Sequence, residues 1–431
     1  MRKLALISAL AMMLAVSMAS AALPACAEWV IGDARPDAPE LAARGAFKVG
    51  VRTERIVHRD QFDILHDSDS DTDGGPRYDR TLTLEIWYPA QLAPGQREAV
   101  QYTDVLGAGA NNPARPNTPF TFAGRAARDA APLSGKPHPL VIVSHGYPGS
   151  RLQMSYLTEN LASKGYVVVA IDHMESTRLD RAGFASTLLN RPLDDQYVLD
   201  TVAAWARSGS GHFLSGVVDA GHTALLGYSM GGYGALVAAG AGIEAAGLRP
   251  LGVTDTAPFA PLLQGAARTP DARIRAVVAF APWGGARGLW LDAGLAQLRV
   301  PLLFVAGEDD QIAGYTDGVL RLAQQAVHAP RYLLGYQLAR HNIAPNPPPP
   351  ASHANPVDFS AYAEPVWDSA RINNINQHVV TAFLEQALRQ RDMSAQLSPE
   401  SPASPGKNIA GVHWRYWPAA EADKEVGFKV V

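Results

Sequence analysis

The chain has 431 residues, of which 47% are hydrophobic, 18% charged and 8% aromatic. That is ordinary globular composition, with ample length for one large core. A formal net charge of −4 gives no basis for nucleic acid or an anionic membrane as a partner.

The N-terminus has its own pattern. Arg2 and Lys3 precede an apolar run, LALISALAMMLAVSM, too short to span a bilayer comfortably. Small residues follow, with Ala25-Cys26-Ala27 or Ala19-Ser20-Ala21 as cleavage sites. Residues 1–27 are therefore expected to be a secretory signal that sends the protein to the periplasm or outside the cell, an uncleaved anchor helix being the alternative. Cys26 is the only cysteine. Cleavage after Ala27 leaves no disulfide, and no thiolate metal site or cysteine nucleophile is available. Lipidation of Cys26 is the weaker alternative, because Pro24 interrupts the preceding residues.

Residues 28–431 read as one catalytic domain. GAFKVGVRTERIVH (45–58) and TLTLEIWYP (81–89) alternate as two antiparallel strands near a sheet edge. Between them, Asp67, Asp69, Asp71 and Asp73 fall on alternate positions, like the start of a calcium loop. An EF-hand would need glutamate where Arg80 stands, so a solvated acidic loop is the preferred reading and no metal is expected.

From residue 138 the pattern is regular. The strands are expected at 139–146, 166–173, 222–228, 274–283, 301–307 and 331–339, each a continuous apolar run. Helices are expected at 153–164, 194–207, 316–326 and 370–389, with a loop running to about 191. Apolar strands alternating with helices mean a mostly parallel sheet covered on both faces, an α/β fold with antiparallel N-terminal edge strands. The stretch 342–356, NIAPNPPPPASHANP, cannot be regular structure. The Ser/Pro-rich 394–406 reads as a surface connection to a tail, 407–431, whose Trp414 and Trp417 should pack back on the body.

The stretch HTALLGYSMGGYGA (222–235) carries the chemistry. Gly227 and Gly231 flank Ser229 as G-x-S-x-G, an apolar strand running through a sharp turn into a small-residue helix. A serine hydroxyl attacks only if a base takes its proton, and in open α/β sheets the partners come from the carboxyl ends of strands. His341 follows the last predicted strand and is the expected base, with His353 in reserve. GEDDQIAG closes the strand 301–307, so the acid that orients the imidazole is Asp310, with Asp309 as its competitor. An oxyanion hole is expected from the backbone N–H groups of Met230, after the serine, and Tyr147, in the loop after strand 139–146. The Tyr147 ring and Trp283 are candidate walls of the substrate pocket, a packed core tryptophan being equally compatible with the latter.

IWYPA, IVSHGYPGSRLQMSYLTENLASKGYVVVAIDH and LLGYSMGGYGA resemble bacterial members of the platelet-activating-factor acetylhydrolase group, often labelled predicted dienelactone hydrolases. The resemblance implies an α/β-hydrolase fold, cofactor-free hydrolysis of a small-molecule or lipid ester, and a triad at Ser229, Asp310 and His341. Dienelactone hydrolases proper use cysteine at the elbow, so that label does not give the substrate. GEDDQIA and HNIAPN are also similar to bacterial polyester hydrolases and cutinase-like lipases, although H-N-I-A-P-N has one extra residue and the usual cysteine pairs are missing. Acyl transfer or peptide cleavage on the same fold, and a binding protein that has lost activity, are the other readings.

Overall fold

The computed structural model describes residues 29–66, 75–109, 112–267 and 269–420. The expected leader with Cys26, and the acidic stretch at 67–74, lie outside these residues.

The first two strands are long, β1 (Lys48–Phe62) and β2 (Arg77–Gln91), paired antiparallel from Lys48 opposite Ala90. A hairpin that the sequence pattern does not announce, β3 (Val100–Leu106) and β4 (Thr118–Gly124), forms a separate two-stranded sheet. Two-residue strands β5 (Ala127–Arg128) and β6 (Ala131–Pro132) return the chain to the main sheet. Then come β7 (His138–Ser144), α1 (Ser155–Ser163), β8 (Val167–Asp172), α2 (Phe184–Ala206), β9 (Val218–Tyr228) and α3 (Met230–Ala238). The sheet continues with β10 (Ile274–Phe280), β11 (Leu302–Gly307), β12 (Arg331–Tyr336) and β13 (Val412–Trp417).

The strand order is β13-β12-β11-β10-β9-β7-β8-β2-β1-β5. From β8 to β12 every pairing is parallel; β13 on one flank and β2 and β1 on the other pair antiparallel, and the two-residue β5 adds to β1 in parallel. The parallel strands are buried along nearly their whole length, because helices cover both faces, and this is why they read as unbroken apolar runs. The strand order reverses around β7 and β9, and in open α/β sheets ligands bind at the carboxyl ends of the strands at such a point. Among the described residues no helix is long and apolar enough to cross a membrane.

One expectation needs correction and another is extended. Helix α2 begins at Phe184, well before 194, although Pro192 lies inside it. Proline ends most helices because it cannot donate to the carbonyl four residues back. Here that carbonyl, Leu188 O, accepts instead from Tyr233 Oη at 2.9 Å, so the helix continues through the proline. The tail also does more than pack on the body: Val412–Trp417 adds an antiparallel edge strand, with Trp414 stacked on Tyr332 at 5.1 Å. The proline-rich stretch after His341 is irregular apart from a short 3-10 turn at Pro350–Ala354.

Candidate active site

Strand β9 ends at Tyr228, and Ser229 follows with φ 54° and ψ −113°, a conformation that non-glycine residues rarely adopt. The strained turn is held by its neighbours: Ser229 N–H donates to Phe280 O at 2.8 Å, and its carbonyl accepts from Trp283 N–H at 3.1 Å. The flanking glycines answer to space. A Cβ on Gly227 would collide with Gly231 O, and one on Gly231 would collide with Ser144 O. The hydroxyl is thus presented at the start of α3, whose first N–H groups have no partner within the helix.

His341 lies beyond the end of β12, and its Nε2 is 3.0 Å from Ser229 Oγ. Its Nδ1 is 2.7 Å from Asp310 Oδ2. A carboxylate can only accept, so Nδ1 carries the proton and Nε2 is free to receive the serine's. The other Asp310 oxygen accepts from Ile312 N–H at 2.8 Å and Ala313 N–H at 3.1 Å, which fixes the carboxylate in its turn. Asp309 points elsewhere, toward Arg340 at 3.9 Å. His353 packs edge-on against Phe359 and is not in this arrangement. Tyr228 backs the imidazole, ring centroids 5.2 Å apart, and Asn346 ties the loop after His341 to the start of α1 through Leu152 O.

The loop after β7 lies opposite. Gly146 N–H donates to Gln153 Oε1 at 3.0 Å, and the buried His145 donates from Nδ1 to Gly146 O at 2.6 Å while Nε2 accepts from His173 N–H. Burial, then the Arg191 charge, hold His145 well below the usual histidine pKa, so it is a neutral brace for the loop. Tyr147 N–H has no acceptor among the described residues. Together with Met230 N–H it is the expected donor pair, and the structure brings both to the serine's end of the sheet.

The aromatic walls are arranged differently from expectation. Trp283 is only 7% exposed, and its face is covered by Phe184, stacked at 5.3 Å. Phe184 in turn lies 5.0 Å from Tyr147, whose hydroxyl donates to Ala182 O. Tyr147, Phe184 and Trp283 therefore form one aromatic row, with Tyr147 tilted 40° against Phe184, and Phe184 is the member at the surface. The sequence pattern puts Phe184 in a loop; its place at the first turn of α2 is what brings it to the row. On the other side of His341 runs a groove of about 680 Å³, lined by Ile312, Asn342, Phe359, Ala363 and Pro365.

Behind the site lies a buried polar network that the sequence pattern does not reveal. His173 sits between Asp194 (Nδ1 to Oδ2, 3.0 Å) and Ser144 (Nε2 to Oγ, 2.8 Å). Arg80 reaches Asp194 at 3.0 Å and Glu175 at 2.9 Å, and Arg191 donates to Ser144 Oγ at 3.1 Å. Burial, then the Arg191 charge, hold the His173 pKa down to about 3, so the ring is neutral. Burial opposes the Asp194 charge, but Arg80 and His173 outweigh it and hold the carboxyl below its ordinary range. The one available signal is spacing: Arg191, Asp194 and Asp195 occupy the same helix face as Val198 and Val202, where apolar residues are expected.

Comparison with known proteins agrees with this architecture. A family model described as PET hydrolase-like matches residues 132–256, the segment holding β7, the Tyr147 loop and the Ser229 elbow. Cutinase est2 of Thermobifida alba is 27% identical over 185 residues, 43% of this chain and 46% of that protein. Cutinase 2 of Thermobifida cellulosilytica is 26% identical over 182 residues, 42% of this chain and 52% of that protein. The chain thus spans about half the length of the curated relatives it matches. A solved ferulic acid esterase from Streptomyces cinnamoneus superposes with a TM-score of 0.56 at 20% identity, covering 88% of this chain and 99% of that one. The fold is that of the α/β-hydrolases.

Proposed function

We propose that this protein is a carboxylic ester hydrolase working through an acyl-enzyme on Ser229, with His341 as base and Asp310 as the acid that orients it. The observation that carries the reading is the hydrogen-bonded chain Asp310–His341–Ser229 at 2.7 and 3.0 Å, set at a strained elbow. Ser229 Oγ attacks the ester carbonyl as its proton passes to His341 Nε2. The oxygen that becomes negative accepts from Tyr147 N–H and Met230 N–H, each donor contributing roughly 3–4 kcal/mol at the transition state. Collapse breaks the ester C–O bond, and the departing alcohol takes the proton from His341. Water, deprotonated by the same imidazole, then releases the acid and restores Ser229. In this reading residues 28–431 form the catalytic domain, exported by the leader at 1–27.

The finer assignment to the platelet-activating-factor acetylhydrolase-like esterases rests on the blocks that begin at IWYPA, IVSHGYPGS and LLGYSMGG. A second reading, a polyester or cutinase-like hydrolase, is favoured by the PET hydrolase-like match and by the open groove beside His341. Hydrolysis of p-nitrophenyl esters of increasing chain length, beside acid release from a polyester film, separates the two. In the same assay Ser229→Ala is expected to lose about 10⁴-fold or more in kcat, and retained activity would refute the whole assignment.

A further inference from the structure

Arg191 stands out because nothing in the reaction above uses it. It projects from the interior of α2, is 1% exposed, and has no carboxylate within ion-pair distance among the described residues. Its Nε is unbonded, and the adjacent Asp195 has neither carboxylate oxygen bonded. Burial pulls the guanidinium pKa down to about 10. A buried guanidinium without a paired carboxylate is costly, so its remaining hydrogen bonds must offset that cost.

Those contacts converge on one loop. Arg191 Nη1 donates to His145 O and, at 3.1 Å, to Ser144 Oγ; Nη2 donates to Gly146 O at 3.0 Å. Gly146 O also accepts from His145 Nδ1 at 2.6 Å, so two buried donors occupy this one carbonyl. The Gly146 carbonyl and the Tyr147 N–H belong to the same planar peptide and point in opposite directions. Fixing the carbonyl on Arg191 therefore aims the N–H away from it, toward the free side of the loop. A charged donor on the carbonyl also polarises the peptide and strengthens that N–H as a donor.

We propose that Arg191 is a positioning residue for the oxyanion hole: it clamps the Gly146–Tyr147 peptide by its carbonyl so that the Tyr147 N–H meets the developing negative oxygen. The proposal rests on the esterase reading and on Tyr147 as a donor. Its consequence falls on the tetrahedral stage, because the donor matters most when the carbonyl oxygen becomes an anion.

The test uses the full chain with Arg191→Met and Arg191→Lys, assayed on p-nitrophenyl acetate and with a boronic acid that forms a tetrahedral adduct on the serine. Arg191→Met is expected to lower kcat by about a hundredfold, the order seen when an oxyanion donor is removed, with KM little changed. Boronate affinity should fall in parallel, and the pH profile of kcat/KM should keep its shape. Arg191→Lys, one ammonium in place of a fork, should recover part of the loss and remains informative if the methionine variant does not fold. A folded variant with full kcat, a loss confined to KM, or unchanged boronate affinity would overturn the proposal. Activity in Ser229→Ala would instead overturn the esterase reading itself.

Discussion

Two Asp–His–Ser hydrogen-bonded chains run through this molecule, and their distances are nearly interchangeable. Asp310–His341–Ser229 spans 2.7 and 3.0 Å; Asp194–His173–Ser144 spans 3.0 and 2.8 Å. Only their surroundings differ. Ser229 stands at positive φ beside a groove and at the start of a helix, whereas Ser144 ends an ordinary strand, is 1% exposed, and has Arg191 donating to its oxygen. A reacting carbonyl cannot reach Ser144, and a hydroxyl oxygen already accepting a charge-assisted bond is a poorer nucleophile. Triad distances are thus common to both chains, and what separates them is the elbow, the free N–H donors and the open side. Ser229 is itself only 6% exposed, and what opens its side is the groove that runs along His341.

Removing the acid from each chain should break this comparison in two different ways. Asp310→Asn leaves His341 without a partner that fixes its Nδ1 proton, and kcat is expected to fall by about 10⁴-fold with stability nearly unchanged. Asp194→Asn should do the reverse. It strips Arg80 of its main counter-charge inside the protein, and urea unfolding should show a loss of about 3–5 kcal/mol. The folded protein should meanwhile lose far less kcat than Asp310→Asn does. Equal kcat losses in the two variants would remove the distinction drawn between the chains.

Acid exposes the same difference. With its pKa held near 3 in the fold against about 6.5 when unfolded, His173 is neutral in the native state and takes a proton on unfolding below pH 6.5. Its contribution is complete above pH 6.5 and is lost as pH falls toward 3, at about 1.4 kcal/mol per unit. His378, lowered to about 4 by burial and then by Lys164, acts in the same direction. Between pH 6.5 and 4.5 the two rings should lower the urea midpoint, against the buried carboxyls of Glu159, Asp172 and Asp195, which burial raises, and His173→Gln should remove its part of that fall. An unaltered slope in the variant would mean that His173 titrates like an exposed histidine.

How much of the molecule is legible in the sequence follows the same division. Ser229, Asp310 and His341 stand at strand ends, and a strand end is readable because the apolar run stops there. Choosing Asp310 over Asp309 needs the turn: Oδ1 of Asp310 is fixed by two backbone N–H groups, while Asp309 faces solvent and Arg340. The buried chain is illegible because its members lie at the end of β7, just after β8 and on α2, far apart in sequence and joined only by the sheet order. Pro192 hides the first turns of α2, and with them Phe184, since the compensating Tyr233 hydroxyl comes from another helix. The β3–β4 hairpin is hidden for a different reason: its strands are half exposed and alternate only loosely.

The smallest expected effect is the sharpest on the comparison. Ser144→Ala removes the hydroxyl that joins His173 Nε2 to Arg191, leaving a neutral ring nitrogen without its donor and the guanidinium with its two carbonyl partners, His145 O and Gly146 O. Losing one buried hydrogen bond of this kind costs about 1–3 kcal/mol of stability. Because both carbonyl contacts survive, the Gly146–Tyr147 peptide stays clamped, and kcat on p-nitrophenyl acetate should stay close to that of the unmodified protein. A fluorophosphonate probe should still label this variant fully and should leave Ser229→Ala unlabelled, although Ser144 and His173 remain intact there. Labelling of Ser144 in Ser229→Ala would show that distance alone makes a nucleophile, and that neither the elbow nor the open side selects between the two serines.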